Sequence, residues 1–232
     1  MMHSLPEGYR ALVVGASGAI GSALLQHLQS DPRCAAVLGV SRQSSPGLDL
    51  INEASIAACA QALIAQGPFH LVLDATGALT VNGRGPEKRL DELDAAHLLA
   101  ALQLNAVGPG LLLKHFAPLL ASGQRVIWGK LSARVGSIED NRKGGWYGYR
   151  SAKAALNMLL QTAAIELARR RPLAVVAALQ PGTVQSALSQ PFVGDDALPP
   201  EDAAQRLLAV LDALQPTGRA QFVDHEGQAI AW

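Results

Sequence analysis

Apolar positions along the chain follow two alternating rhythms. Short, nearly continuous apolar runs occur at 10–15, 35–40, 71–75, 125–128, 174–179 and 220–223, most of them ending at glycine, proline or polar residues. Between them lie longer stretches with helical spacing. Residues 19–29 carry Ile20, Ala23, Leu24 and Leu28 on one stripe, and Pro32 closes that run. Residues 54–65 are rich in Ala and stop at Gly67-Pro68. Helical character returns over 93–120, where Gly108-Pro109-Gly110 is expected to introduce a kink. The stretch 149–169 repeats through Ala152, Ala155, Leu156, Leu159, Leu160, Ala163 and Leu167, and 201–214 reads as a last helix. Residues 41–47, 77–85, 137–146 and 183–200 read as loops. Strands apolar throughout, alternating with amphipathic helices, indicate a parallel sheet covered on both faces. No composition break or repeat divides the chain, so 1–232 reads as one doubly wound α/β domain.

Composition narrows the function classes. Nineteen basic residues balance nineteen acidic ones, so no net field favours nucleic acid or an anionic membrane. Hydrophobic residues make up 49% and charged ones 16%, the opposite of a disordered chain. Polar residues interrupt each apolar stretch before the ~18 residues that a spanning helix needs. The opening Met1-Met2-His3-Ser4-Leu5-Pro6-Glu7 has neither a basic flank nor an apolar segment, so a cytoplasmic protein is expected. Cys34 and Cys59 stand too far apart in sequence for a redox pair or zinc knuckle, and the six histidines are scattered. No metal site is expected.

The first candidate chemistry is Gly15-Ala-Ser17-Gly18-Ala-Ile20-Gly21, between strand one and helix one. Glycines there permit a tight turn and close approach to a pyrophosphate, and the helix start adds N–H groups and partial positive charge. The spacing is G-x-x-G-x-x-G rather than G-x-G-x-x-G, so position in a βαβ unit carries the nucleotide reading. Strand two ends at Ser41-Arg42 with no acid to take a ribose 2′-hydroxyl. Arginine favours a 2′-phosphate, so NADP(H) is expected over NAD(H), although Arg42 also fits a solvated loop charge. The second candidate is Tyr149-Arg-Ser-Ala-Lys153, a phenol and an ammonium on one helix face. A cation beside a phenol lowers its pKa and makes it a usable acid or base.

Taken with Asp49-Leu50, Asn105, Ser132 and Pro181-Gly182-x-Val184, these motifs resemble the short-chain dehydrogenase/reductase family over nearly the whole chain. The segment from Ser132 to Asn157 and the ending Phe222 to Trp232 are similar to its C-factor-like branch. The resemblance implies a Rossmann-type sheet of about seven strands and hydride transfer between a nicotinamide and a ketone, aldehyde or secondary alcohol. It assigns catalysis to Asn105, Ser132, Tyr149 and Lys153. Tyr149 would be the acid or base, Lys153 its tuner and a ligand of the nicotinamide ribose. Ser132 would polarise the carbonyl, and Asn105 would hold a water linking Lys153 to solvent. Cofactor contacts are implied for Gly15, Ser17, Gly18, Ile20, Gly21, Ser41, Arg42, Asp49, Leu50, Ala75, Thr76, Gly77, Tyr149, Lys153, Pro181, Gly182, Val184 and Ser186.

Several positions depart from the family pattern. Ser132 precedes Tyr149 by 17 residues where about 13 is usual, and Ser137 is the alternative. Ala75-Thr76-Gly77 stands for Asn-Ala-Gly, losing a stabilising amide side chain. Tyr147 is read as a loop or pocket-wall residue. Residues 183–200 take the place of a substrate lid, with Pro191-Phe192-Val193 closing over substrate. Relatives imply a homodimer or homotetramer, and Ala152, Ala155, Leu159 and Ala163 offer a face for it, although the same stripe also fits packing against the sheet. A dinucleotide-binding signalling or scaffold protein without essential turnover is the competing function.

Overall fold

A computed structural model describes residues 1–186 and 197–232. Six strands form one parallel sheet: β1 (Tyr9–Val14), β2 (Cys34–Val40), β3 (Leu71–Asp74), β4 (Val126–Leu131), β5 (Ala174–Gln180) and β6 (Ala220–Asp224). Their order is β2-β1-β3-β4-β5-β6, one strand fewer than the seven expected among the described residues. Alternation along each strand feeds two cores. Leu12, Val14, Val72, Trp128 and Val176 face one side, and Ala11, Val13, Leu73, Ile127 and Val175 the other.

Helices α2 (Glu53–Ala62), α4 (Gly108–Phe116) and α5 (Tyr147–Arg170) cover the first face. Helices α1 (Ala19–Gln29) and α6 (Pro200–Ala213) cover the second, pressing Leu24, Leu28, Leu207 and Leu211 onto the sheet. From β1 the chain runs to β2 on one side and then crosses back to β3 on the other, so the strand order reverses there and a crevice opens at the carboxyl end of β1.

The helical stretch expected at 93–120 is α3 (Ala95–Leu102), a π-helical turn Gln103–Val107, and α4. Gly108-Pro109-Gly110 does not break it. Pro109 cannot donate to the turn before it, and the π turn directly preceding it, where the Gly108 N–H donates to the Gln103 carbonyl, takes up the irregularity without breaking the helix. The run Ala95–Leu119 is long and apolar enough by composition to cross a bilayer, yet it lies against α5 with Leu112 and Phe116 in the core. Strand β4 runs past Trp128 to Leu131, carrying Lys130 into the sheet. Helix α5 begins at Tyr147 rather than Tyr149, so Tyr147 belongs to its first turn and not to a loop.

Candidate active site

The turn after β1 is shaped by glycine. Gly15 has φ +83°, and a Cβ there would lie 3.1 Å from the Thr76 nitrogen. A Cβ on Gly21 would lie 2.2 Å from the Gly15 carbonyl oxygen, a contact no side chain survives. Gly15 and Ala16 donate to the Val40 carbonyl at 2.8 and 3.1 Å, tying the turn to β2. Gly18 is the N-cap of α1 and no side chain caps that end, so the first-turn N–H groups remain for an anion.

A crevice of about 600 Å³ opens beside this turn. It brings together Gly15, Ser17, Gly18, Ser41, Arg42, Asp49, Leu50, Ala75, Thr76 and Gly77 from four separate segments. Arg42 is exposed at its rim, and Ile20 lies behind it on α1, outside the lining. Pro181, Gly182, Val184 and Ser186 follow β5 and are also outside the lining. Gly182 turns with φ +81°, and Val184 is buried and bridges to Leu198. Pro191-Phe192-Val193 and the middle of the expected lid, 187–196, lie outside the described residues.

Tyr149 and Lys153 share one face of α5. The Lys153 Nζ lies 5.5 Å from the centroid of the Tyr149 ring and donates to the Leu131 carbonyl at 3.1 Å. It also reaches the crevice floor: a Cβ on Gly77 would be 3.5 Å from Lys153 Nζ and 3.2 Å from Asn105 Oδ1. Lys153 is 2% exposed. Burial, reinforced by the Lys130 cation and opposed by Asp74, lowers its pKa to about 7. Burial pushes the Tyr149 phenol up to about 12.

Asn105 sits in the π turn. Its amide nitrogen donates to Ala78 O at 2.9 Å and Ala101 O at 3.2 Å, and Oδ1 accepts from Ala78 N at 3.0 Å. The side chain therefore clamps the strand-end loop against the helix. Ser132 is buried and donates to Asn157 Oδ1 at 2.7 Å, while the Asn157 amide nitrogen has no partner among the described residues. Ser137 is buried as well; it accepts from the Asp140 N–H at 3.0 Å and donates to the Trp232 carbonyl at 3.5 Å.

Two pairs escaped sequence reasoning. Lys130 and Asp74, each 1% exposed, form an ion pair of 3.0 Å beneath the crevice. The available signal was a charge inside each of two apolar strands, since buried charges must be paired. Glu87 is the second. Its Oε2 accepts from Gly148 N at 2.9 Å, its carbonyl accepts from Trp146 N, and His97 Nε2 stands 3.8 Å from Oε1. Helix α5 has no capping side chain of its own, its N-cap Trp146 being left-handed with φ +54°. Glu87 supplies the cap from 59 positions upstream of Trp146, one turn below Tyr149.

Comparison with known proteins agrees with this architecture. A family model described as enoyl-(acyl carrier protein) reductase matches residues 29–222. C-signal of Myxococcus xanthus is 31% identical over 170 residues, 73% of this chain and 96% of that protein. The 1-hydroxy-2-glutathionyl-2-methyl-3-butene dehydrogenase of a Rhodococcus strain is 31% identical over 189 residues, 81% of this chain and 79% of the relative. Among solved structures, the NADPH-bound carbonyl reductase from chicken fatty liver superimposes with a TM-score of 0.84 at 22% identity, covering 99% of this chain and 97% of that one. With a matching family model across most of its length and these relatives, the chain belongs to the short-chain dehydrogenase/reductase family of oxidoreductases.

Proposed function

We propose that the chain is an NADP(H)-dependent reductase of ketones or aldehydes, able to oxidise secondary alcohols in reverse. The observation that carries this reading is Lys153, whose Nζ lies 5.5 Å from the centroid of the Tyr149 ring and within 3.5 Å of where a Cβ on Gly77, a residue lining the crevice, would stand. Bound there, the dinucleotide supplies the hydride in reduction and takes it up in oxidation. The Gly15–Gly21 turn and the start of α1 would hold the pyrophosphate through N–H groups. Arg42, at the end of β2 where no acid stands, would pair with a 2′-phosphate. Asp49, Leu50 and Thr76 would wall the adenosine half.

The proton is the task of α5. A phenol pushed up to about 12 holds its hydrogen at neutral pH and can donate it to a substrate oxygen gaining charge. Protonated Lys153 favours the phenolate left behind and lowers the barrier to that transfer. Ser132 would direct its hydroxyl at the carbonyl once the Asn157 amide is turned over. The unpartnered amide nitrogen then donates to Ser132 Oγ and frees the hydroxyl hydrogen. Ser137 is occupied within its own loop, which favours Ser132. The apolar outer face of α4 and α5, with Met158, Leu159 and Ile165 exposed, supports a homodimer or homotetramer. Ala152 is excluded from that face because it is fully buried.

The likeness to C-signal favours one second reading, a dinucleotide-binding signalling protein without essential turnover. Tyr149→Phe separates the two. The purified chain should oxidise NADPH with a panel of ketones and aldehydes. The variant should lose about 10²–10⁴-fold in kcat while binding NADPH as before. Turnover unchanged by the substitution would remove the reductase reading.

A further inference from the structure

Lys130 is an ammonium in the middle of a sheet. It stands opposite Asp74 in the β3–β4 register and is 1% exposed. Its Nζ donates to Asp74 Oδ1 at 3.0 Å, to the Thr76 carbonyl at 2.6 Å and to Thr76 Oγ1 at 3.1 Å. Asp74 Oδ1 also accepts from the Thr76 N–H at 2.9 Å and from its hydroxyl at 2.5 Å, while Oδ2 is buried without a partner among the described residues. Desolvating such a pair is expensive, and apolar residues of similar volume would serve stability as well. Its placement gives it another use.

Thr76 belongs to the turn that lines the crevice, and Ala75 offers that turn no side-chain amide. Lys130 supplies the missing hydrogen bonds from the neighbouring strand. It also shares a sheet face with Trp128, the face covered by α5, where Lys153 lies. The polar groups facing Lys153 are Tyr149 from its own helix, Lys130 from β4, Asp74 from β3, the neutral Asn105 amide and the Leu131 carbonyl.

Resting on the reductase reading, we propose that Lys130 and Asp74 are positioning residues for this site. Lys130 clamps the turn Ala75-Thr76-Gly77 against the crevice and, as a second ammonium behind Lys153, sets how firmly that lysine holds its proton. Geometry links the two ammoniums: Lys153 Nζ donates to the carbonyl of Leu131, the residue after Lys130, and approaches Gly77, the residue after the Thr76 that Lys130 holds, and burial with the Lys130 cation depresses the Lys153 pKa.

The chain has five lysines, so NMR of protein carrying [ε-13C]lysine yields five assignable signals, that of Lys153 being the one lost in Lys153→Met. Lys130→Gln keeps a polar N–H donor on the strand and removes the charge. Its Lys153 signal should titrate about one pH unit higher than in the parent. Lys130→Met also loses the clamp and should weaken NADPH binding about five- to tenfold. Should the single variants fail to fold, Asp74→Asn with Lys130→Gln removes both charges and leaves neither an unpaired buried ion. The Lys153 midpoint should still rise there, because Lys130 acts on it more strongly than Asp74 does. A midpoint unmoved in a folded variant overturns the proposal. Neither readout needs turnover, so a chain inactive on every carbonyl would refute the reductase reading and still answer this question.

Discussion

Two sides of the crevice are built by opposite means. The end of β1 uses backbone alone: glycines at 15, 18 and 21, with no charged side chain in the turn. The ends of β3 and β4 use charge: Asp74 and Lys130, with Lys153 added from α5, all at or below 2% exposure. A pyrophosphate spreads its charge over several oxygens, and N–H dipoles of the right shape suffice for it. A proton has to be held and released at a chosen affinity, which takes charges withdrawn from water. In the proposed reductase, shape would therefore do the binding at one end, and electrostatics the chemistry at the other.

The comparison breaks most sharply at Gly21. A methyl group there collides with the Gly15 carbonyl, and backbone cannot swing aside as a side chain can. Gly21→Ala should weaken NADPH binding ~100-fold or more and destabilise the fold by ~2–3 kcal/mol, read by fluorescence titration and urea unfolding. Near-parent affinity would mean that the turn is not where the cofactor binds.

The charged end is tested by pH. Lys153 titrates at about 7 in the folded chain against 10.5 for an ordinary lysine. Above pH 7 the unfolded state therefore holds a proton that the native state has released, and stability rises with pH. Burial pushes Lys130 the same way. The rise should run from about pH 7 to about pH 9. Beyond that, Cys59, pushed up to about 11 by burial, and Tyr149 at about 12 oppose it, since each keeps in the native state a proton the unfolded chain gives up. Urea midpoints should climb over this window in the parent and much less in Lys153→Met. Carbonyl reduction should move in the opposite sense, falling as pH passes about 7 and the ammonium beside Tyr149 is lost.

Glu87 is where the two modes join, a carboxylate used to cap a helix. Glu87→Ala removes the acceptor for Gly148 N and unfastens the start of α5 one turn below the phenol. A loss of ~1–2 kcal/mol in stability is expected, with kcat reduced about tenfold and NADPH affinity kept, because the glycine turn is untouched. Equal losses in kcat and cofactor affinity would show that the two ends are not separable.

The same division decides what the sequence could tell. Gly15, Gly18 and Gly21 are legible because a βα turn is local: spacing, strand and helix all fall within about fifteen residues. Tyr149 and Lys153 are legible because four residues make one helical turn. Lys130 is not, because its partner Asp74 is 56 positions away and only the register of β3 against β4 joins them. Ending β4 at Trp128 was the consequence, since a lysine argues against a buried strand until its counter-ion is known. Glu87 is not legible either, because its use depends on where α5 begins, and the left-handed Trp146 that sets this start carries no turn signal of its own. The π turn at Gln103–Val107 is hidden in the same way. Gly108 is glycine because a Cβ would press on the Leu50 carbonyl at 2.5 Å, not because the helix breaks there.

Arg42 gives the mildest test, and it probes the boundary between the two modes. It is a charge placed at the backbone-built end, exposed at the rim of the crevice rather than buried. Water screens such a charge, so its worth should be modest beside Lys130 or Lys153. Its pairing with a 2′-phosphate would nonetheless be charge-assisted and selective, because NADH presents only a hydroxyl at that point. Arg42→Ala should weaken NADPH about tenfold and leave NADH within about twofold, measured as paired Kd values at one ionic strength. The NADPH loss should shrink in high salt, where an exposed ion pair fades while the glycine turn keeps its grip. Equal losses for both nucleotides would make Arg42 a solvated loop charge and leave the choice of cofactor to Ser41 and the backbone around it.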